Sequence, residues 1–162
     1  VRAGATYVST TVNGIGERAG NAALEEVVMA LKLACEIDPQ IVTTNLAGIS
    51  RYVATASGRP LAPWKAIVGE KVFSHESGLH ADGVLKHPST YEGFDPAEVG
   101  LKRHIVVGKH SGRNGLKQRL EELQLEQPQT DLNKLLQRVR SLAGRRKRAL
   151  LDQELIELCR AS

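Results

Sequence analysis

The chain has 162 residues, 41% of them apolar and 25% charged, a globular composition long enough for one core or two small ones and unlike that of a disordered chain. Its net charge of +4 raises the question of nucleic acid, but the excess sits in Arg145, Arg146, Lys147 and Arg148 with no aromatic residue interleaved to stack on bases, so a solvated loop between two helices is the simpler reading. No apolar stretch reaches the roughly 20 residues of a membrane-spanning helix; the longest, Leu24 to Cys35, is interrupted by Glu25, Glu26 and Lys32.

The chain opens on Val1 and runs through VRAGATYVSTTV with no basic leader or cleavage site, which reads as a start inside a domain. Tyr7 to Val12, rich in β-branched and aromatic residues and ending at Asn13-Gly14, is expected to be a buried strand followed by a turn. From Asn21, a candidate cap, Leu24, Val27, Val28, Leu31 and Cys35 recur at helical spacing, with Glu25 and Glu26 in the first turns. A second helix is expected from about Thr44 to Ser57, stopped by Gly58 and by Pro60 and Pro63. Residues 64–115 are dense in Gly, His and Pro and should be mostly loop, with short apolar runs at Ala66 to Val68 and Ile105 to Val107. Three helices follow, at Gly115 to Leu123, Asp131 to Leu142 and Asp152 to Cys159, with Thr130 or Asp131 and Asp152 as caps. Cys35 and Cys159, without CxxC spacing, form no disulfide framework, so a reducing, cytoplasmic setting is expected.

Chemistry could reside in four places. NGIGERAGN, Asn13 to Asn21, is a Gly-rich turn between a strand and a helix that gathers Glu17, Arg18 and Asn21; its spacing is neither a dinucleotide fingerprint nor a Walker loop. HESGLHADG carries His75 and His80 with Glu76 and Asp82 nearby. The two imidazoles are wrongly spaced for one helix face and lack further ligands, so an acid or base is a better reading than zinc, and a hydrogen-bonded structural histidine is a plainer one. Tyr91, just before the Asp95-Pro96 turn, is either a proton relay or a half-buried packing residue. GKHSGRNG, Gly108 to Gly115, leads into a helix whose N-terminus could hold an anion, or is a simple turn.

Taken in order, STTVNGIGERAGNAALEEV, IVGEKVFSHESGLHADGVLK, YEGFDPAEVG and GKHSGRNGL resemble the 2-isopropylmalate synthase and homocitrate synthase family over essentially the whole chain. GKHSG and the tail LLQRVRSLAGRRKRALLDQELIELCR are most similar to the homocitrate synthases of nitrogen-fixing bacteria. The resemblance implies an α/β chain, the C-terminal part of a (β/α)8 TIM barrel followed by small α+β and helical linker subdomains. The barrel end would occupy residues 1–63, a linker subdomain with the His and Tyr motifs 64–114, and a helical subdomain 115–162. It further implies a homodimer in which these subdomains reach the partner's active site, with no membrane and no nucleic acid involved.

The implied reaction is a Claisen condensation of acetyl-CoA with 2-oxoglutarate to homocitrate, or with 2-oxoisovalerate or pyruvate in the sister enzymes. It would depend on a divalent metal (Mg, Mn or Zn) whose other ligands lie upstream. By the same resemblance Asn21 is a metal ligand, Glu17 and Arg18 bind substrate, and His80 and Tyr91 transfer protons at the acetyl methyl group and the forming alkoxide. Leu79 stands where the family's SGIH motif has Ile, a volume-conserving change. A reading of another class, a non-catalytic dimerisation or binding module, stays beside these.

Overall fold

The computed structural model describes residues 1–77, 83, 87–125 and 131–160. The chain divides into two units, Val1–Phe73 with Asp95–Lys102, and Ser74–Phe94 with Arg103–Ser162. No helix among the described residues is long and apolar enough to cross a membrane.

The first unit is built on two helices. α1, Leu24–Ala34, has strong helix formers through most of its length and Glu25 and Glu26 at its positive end. It starts two residues later than expected, with Ala23 rather than Asn21 at the cap position, because the chain at Ala22 and Ala23 bridges to Thr11. There the Thr11 N–H donates to the Ala22 carbonyl (3.0 Å) and the Leu24 N–H to the Thr11 carbonyl (2.9 Å). The face it buries is centred on Glu25, Val28 and Met29, while Leu24, Val27, Leu31 and Cys35 are half-buried. α2, Leu46–Ser57, follows a 3-10 turn at Thr43–Asn45 and buries Leu46, Ala47, Ser50 and Ala54. It ends as expected at Gly58, whose left-handed backbone (φ +65°) lets its N–H reach the last carbonyls.

The buried strand expected over Tyr7 to Val12 does not form. One bridge, Thr11 to Ala23, is all the ladder this segment makes among the described residues, and Tyr7 is 94% exposed. β-propensity is satisfied only when a neighbouring strand receives the backbone hydrogen bonds and a second layer covers the side chains. The described residues offer neither at Tyr7. Val42, Tyr52 and Trp64 are likewise large and exposed, Trp64 at 77%. The Asp95-Pro96 turn opens a short 3-10 helix, Pro96–Val99, under a capping box. Its Glu98 pairs with Lys32 of α1 at 2.6 Å.

Among the described residues the second unit has one parallel pair of two-residue strands, β1 (Ser74–His75) and β2 (His104–Ile105), with Ser74 opposite His104 and His75 opposite Ile105. Three helices follow: α3, Arg113–Glu122; α4, Leu132–Arg146; and α5, Asp152–Arg160. Asp131 is the cap of α4, its carboxylate accepting from the Asn133 N–H at 2.9 Å. α4 runs four residues past the expected Leu142, so Arg145 and Arg146 belong to its last turn instead of a loop. Cations at the negative end of a helix extend it. The three helices enclose Leu116, Leu120, Leu135, Leu136, Val139 and Leu155, and the Leu150 N–H donates to the Val107 carbonyl at 2.8 Å to join the start of α5 to the strand region.

Leu135 is fully buried in this core. Leu135→Ala should lower unfolding stability by about 2–5 kcal/mol, the usual effect of emptying a leucine site, read as a shift of the urea midpoint without a change of slope.

Candidate functional site

The Gly-rich loop Asn13–Asn21 is closed at its neck by the Thr11 to Ala23 bridge and folded back on itself inside. The Asn21 N–H donates to the Gly14 carbonyl (3.0 Å) and the Gly20 N–H to the Glu17 carbonyl (2.8 Å). Two glycines are required there. Gly20 has φ +86° and lies against the Gly14 carbonyl, and Gly16 lies against the Asn21 side-chain amide, so a methyl group at either position would collide. Asn13, also left-handed at φ 62°, is anchored from both ends: its N–H donates to Glu25 Oε2 (3.1 Å) and its Nδ2 to the Ser50 carbonyl (2.9 Å).

Glu25 is only 1% exposed. A carboxylate so deep needs donors and a counter-charge. It has the Asn13 N–H and, 3.4 Å from Oε1, the Lys65 ammonium, which also pairs with Glu26. Burial alone would lower the Lys65 pKa, but the hydrogen bond to Glu26 and the charges of both carboxylates outweigh it and hold the ammonium above its ordinary value. Beside the loop lies a cavity of about 320 Å³ lined by the loop backbone together with Arg18, Arg59, Pro60 and Lys65.

Of the residues singled out in the sequence, Arg18 therefore lines the cavity. Glu17 and Asn21 are exposed on the same loop and are not among its lining residues. Asn21 gives its Nδ2 to the Ile15 carbonyl (3.3 Å), which leaves its amide oxygen as a donor to a cation. No three His, Cys, Asp or Glu side chains converge among the described residues. One neutral amide oxygen does not by itself make a divalent site. The residues the sequence reading passed over are Asn13, Glu25, Arg59 and Lys65: Glu25 was accounted for as a helix-start carboxylate, and the distance in sequence hid Lys65 from it.

The second motif resolves differently. His75 pairs through Nε2 with Glu92 Oε1 at 3.0 Å, and Arg103 donates from Nε to the same oxygen (2.8 Å) and from its terminal nitrogen to Oε2. This is the hydrogen-bonded structural role that had stood as the plainer alternative for His75. Tyr91, next in the chain to Glu92, is 42% exposed, and its ring packs on Gly83, where a β-carbon would overlap it. His80 and Asp82 lie outside the described residues.

The third motif is a rigid knot. Ser111, 1% exposed, accepts from the Gly108 N–H (2.8 Å) and donates to the Glu76 carbonyl (3.2 Å), while the Glu76 carboxylate accepts from the His110 N–H (3.1 Å). The Arg140 guanidinium closes it from α4 with two hydrogen bonds to the Ser111 carbonyl, at 3.1 and 2.6 Å.

The Glu92 centre generates a pH prediction. Burial raises the Glu92 pKa, but the hydrogen bonds and charges of Arg103 and His75 outweigh it and hold the carboxyl below its ordinary 4.5. A depressed pKa in the fold contributes stability that is complete above the unfolded value and disappears as pH falls through the folded one. Glu92→Gln should therefore cost about 1–3 kcal/mol at pH 7 by leaving its donors underpaired. The difference from the parent protein should shrink at acid pH below 4.5, measured by urea unfolding at both ends of that range.

Residues 67–147 match the family described as homocitrate synthase post-HMGL domain-like, and residues 1–53 match the HMGL-like family. The chain is 58% identical over 158 residues to 2-isopropylmalate synthase 2 of Caldanaerobacter subterraneus subsp. tengcongensis, covering 98% of this chain and 41% of that protein. It is 51% identical over 158 residues to homocitrate synthase 1 of Nostoc sp. (98% and 42%), and 52% identical over 160 residues to homocitrate synthase AksA of Methanopyrus kandleri (99% and 40%). The chain thus spans about two fifths of the length of these curated relatives. With a barrel-family segment followed by a post-barrel domain in the same order as the folded motifs, the chain belongs to the homocitrate synthase and 2-isopropylmalate synthase family.

Proposed function

We propose that the protein carrying this chain is an acyltransferase that condenses acetyl-CoA with 2-oxoglutarate to give homocitrate and CoA. The observation that carries the reading is the order of parts in one chain. An HMGL-like segment holds its Gly-rich loop on a buried carboxylate, and a homocitrate-synthase domain bearing the His80 and Tyr91 motifs follows it. In this reading residues 1–63 close a (β/α)8 barrel, 64–114 form a small linker subdomain and 115–162 a helical one. The linker parts of a homodimer are exchanged between active sites. The free thiols of Cys35 and Cys159 suit a reducing cytoplasm.

The chemistry asks for three things. A base removes a proton from the thioester methyl group. The resulting carbanion forms a carbon–carbon bond to the ketone carbon of the 2-oxo acid while the carbonyl π electrons move to oxygen, which takes up a proton. Water then cleaves the thioester and releases the CoA thiol. We assign the two proton transfers to His80 and Tyr91. Substrate carboxylate binding goes to Arg18 with Glu17 beside it; the support is Arg18's place on a cavity wall shared with Arg59 and Lys65, three cations around a space sized for a small dianion. Asn21 would offer a divalent ion one oxygen, and the remaining donors must come from outside the described residues. A second reading, the same condensation on 2-oxoisovalerate, is favoured by the 58% identity to a relative named 2-isopropylmalate synthase; pyruvate is the third acid to try.

The test is release of CoA thiol from acetyl-CoA by the full-length protein with each of the three 2-oxo acids separately, with and without Mg, Mn or Zn. Release with 2-oxoglutarate alone supports homocitrate synthesis, release with another acid changes the substrate, and silence with all three favours a binding module. In the active protein His80→Ala and Tyr91→Phe should each lower kcat by about 10²–10⁴, the contribution of a positioned acid or base, and an unaltered kcat removes that residue from the mechanism.

A further inference from the structure

The knot around Ser111 has a second consequence. It uses the hydroxyl of Ser111, the carboxylate of Glu76 and the guanidinium of Arg140 to fix the Gly108–Ser111 turn, and it leaves the side chains of Lys109 and His110 exposed, with no hydrogen bond or ion pair to a described residue. They face a cavity of about 310 Å³ whose other walls are Glu76, Ala143, Gly144, Lys147, Arg148 and Ala149. Lys147 stands just past the end of α4 in the left-handed conformation (φ 56°), which turns the chain there, and it lines the same cavity.

The charge balance around this space is positive. Lys109, Lys147, Arg146 and Arg148 stand against two carboxylates, Glu76 and Glu154. Glu154 serves both Arg146 (3.2 Å) and Arg148 (2.8 Å), while Glu76 accepts from the uncharged His110 N–H, keeps its negative charge on the cavity wall and offsets one of the two lysines, so the balance stays positive. The C-terminus of α4 contributes only about half a negative charge. Two ammonium groups and an imidazole, Lys109 and His110 from one turn and Lys147 from the end of α4, can each take a different oxygen of one polyanion, which a monocarboxylate could not satisfy. Among the described residues no Phe, Tyr or Trp lines the cavity to stack a base, and Gly144 leaves room there, since a β-carbon at that position would meet nothing.

We propose that this cavity is a phosphate-binding site, which takes the diphosphate or phosphomonoester of a small molecule between Lys109, His110 and Lys147. The ligand could be the phosphorylated carrier of a thioester substrate or an independent phosphorylated effector; the shared chemistry is the phosphate. The inference does not depend on the condensation reading, since it is tested by binding.

The probe is inorganic pyrophosphate, titrated calorimetrically into the full-length protein at low salt. The parent protein should bind it saturably and more weakly as salt rises. Lys109→Glu with Lys147→Glu should weaken binding more than about tenfold, the effect of losing contacts worth some 1.4 kcal/mol. Gly144→Glu should do the same by placing a carboxylate in the open space while improving helix propensity, so its loss of binding cannot come from unfolding. Lys117→Glu, the same reversal as each half of the double variant and a larger charge change than Gly144→Glu, at a lysine that pairs with Glu121 on α3, should bind like the parent. A parallel rise in KM for acetyl-CoA in the binding-deficient variants identifies the carrier as the source, and an unchanged KM identifies a separate effector. Absence of saturable binding by the parent, or equal binding by the parent and both cavity variants, overturns the proposal.

Discussion

A carboxylate removed from water must find donors, and in this chain the buried Glu25 and Glu92, with the half-buried Glu76, organise the motif loops. Glu25 holds the head of the Gly-rich loop through the Asn13 N–H, Glu92 gathers Arg103 and His75, and Glu76 receives the His110 N–H under the Gly108 turn. Each reaches a segment at least eleven residues away in sequence. Without them the glycines that permit these tight paths would also permit many others, because glycine widens the choice of conformations and does not select among them. Rigidity in these loops therefore comes from buried charge met by backbone N–H groups and cations, and the apolar cores serve mainly to keep water from competing.

The division of labour between the units follows. In the first, the helices supply a platform for the Gly-rich loop that precedes α1. In the second, the strand pair is minimal and the three-helix core carries the stability, so the Ser111 turn is held by an arginine from α4 and not by a sheet. A site built on a turn that is hydrogen-bonded from a helix can stay precise without a large sheet beneath it.

Much of this was legible in the sequence. The helices from Leu46 to Ser57 and from Asp152 onward were readable because their periodicity and the stop at Gly58 are local, although Asp152 proves to be the first helical residue and not the cap. The motifs NGIGERAGN, HESGLHADG and GKHSG identified the family because their residue types and order are unusual together. Three things were not legible. The strand at Tyr7 depends on neighbours that propensity cannot supply, and the start of α1 was moved by a bridge between Thr11 and Ala23. The partnerships Glu25–Lys65 and Glu92–Arg103 cross 40 and 11 residues, and nothing in local spacing selects one lysine or arginine among the 22 in the chain. For His75 the structural role had been the plainer reading, but its partner Glu92, 17 residues away, could not be named from local spacing.

The exposure of Trp64 gives the chain an internal reporter. It is the single tryptophan in the sequence and stands in water on the first unit, near in sequence to the Lys65 that serves Glu25. An indole in that setting emits at the red end of its range and is open to collisional quenchers such as iodide. Any surface that comes to cover it will shift the emission to shorter wavelength and shield it. The covering of this face can thus be followed through the Trp64 indole by ultraviolet fluorescence, with no added label.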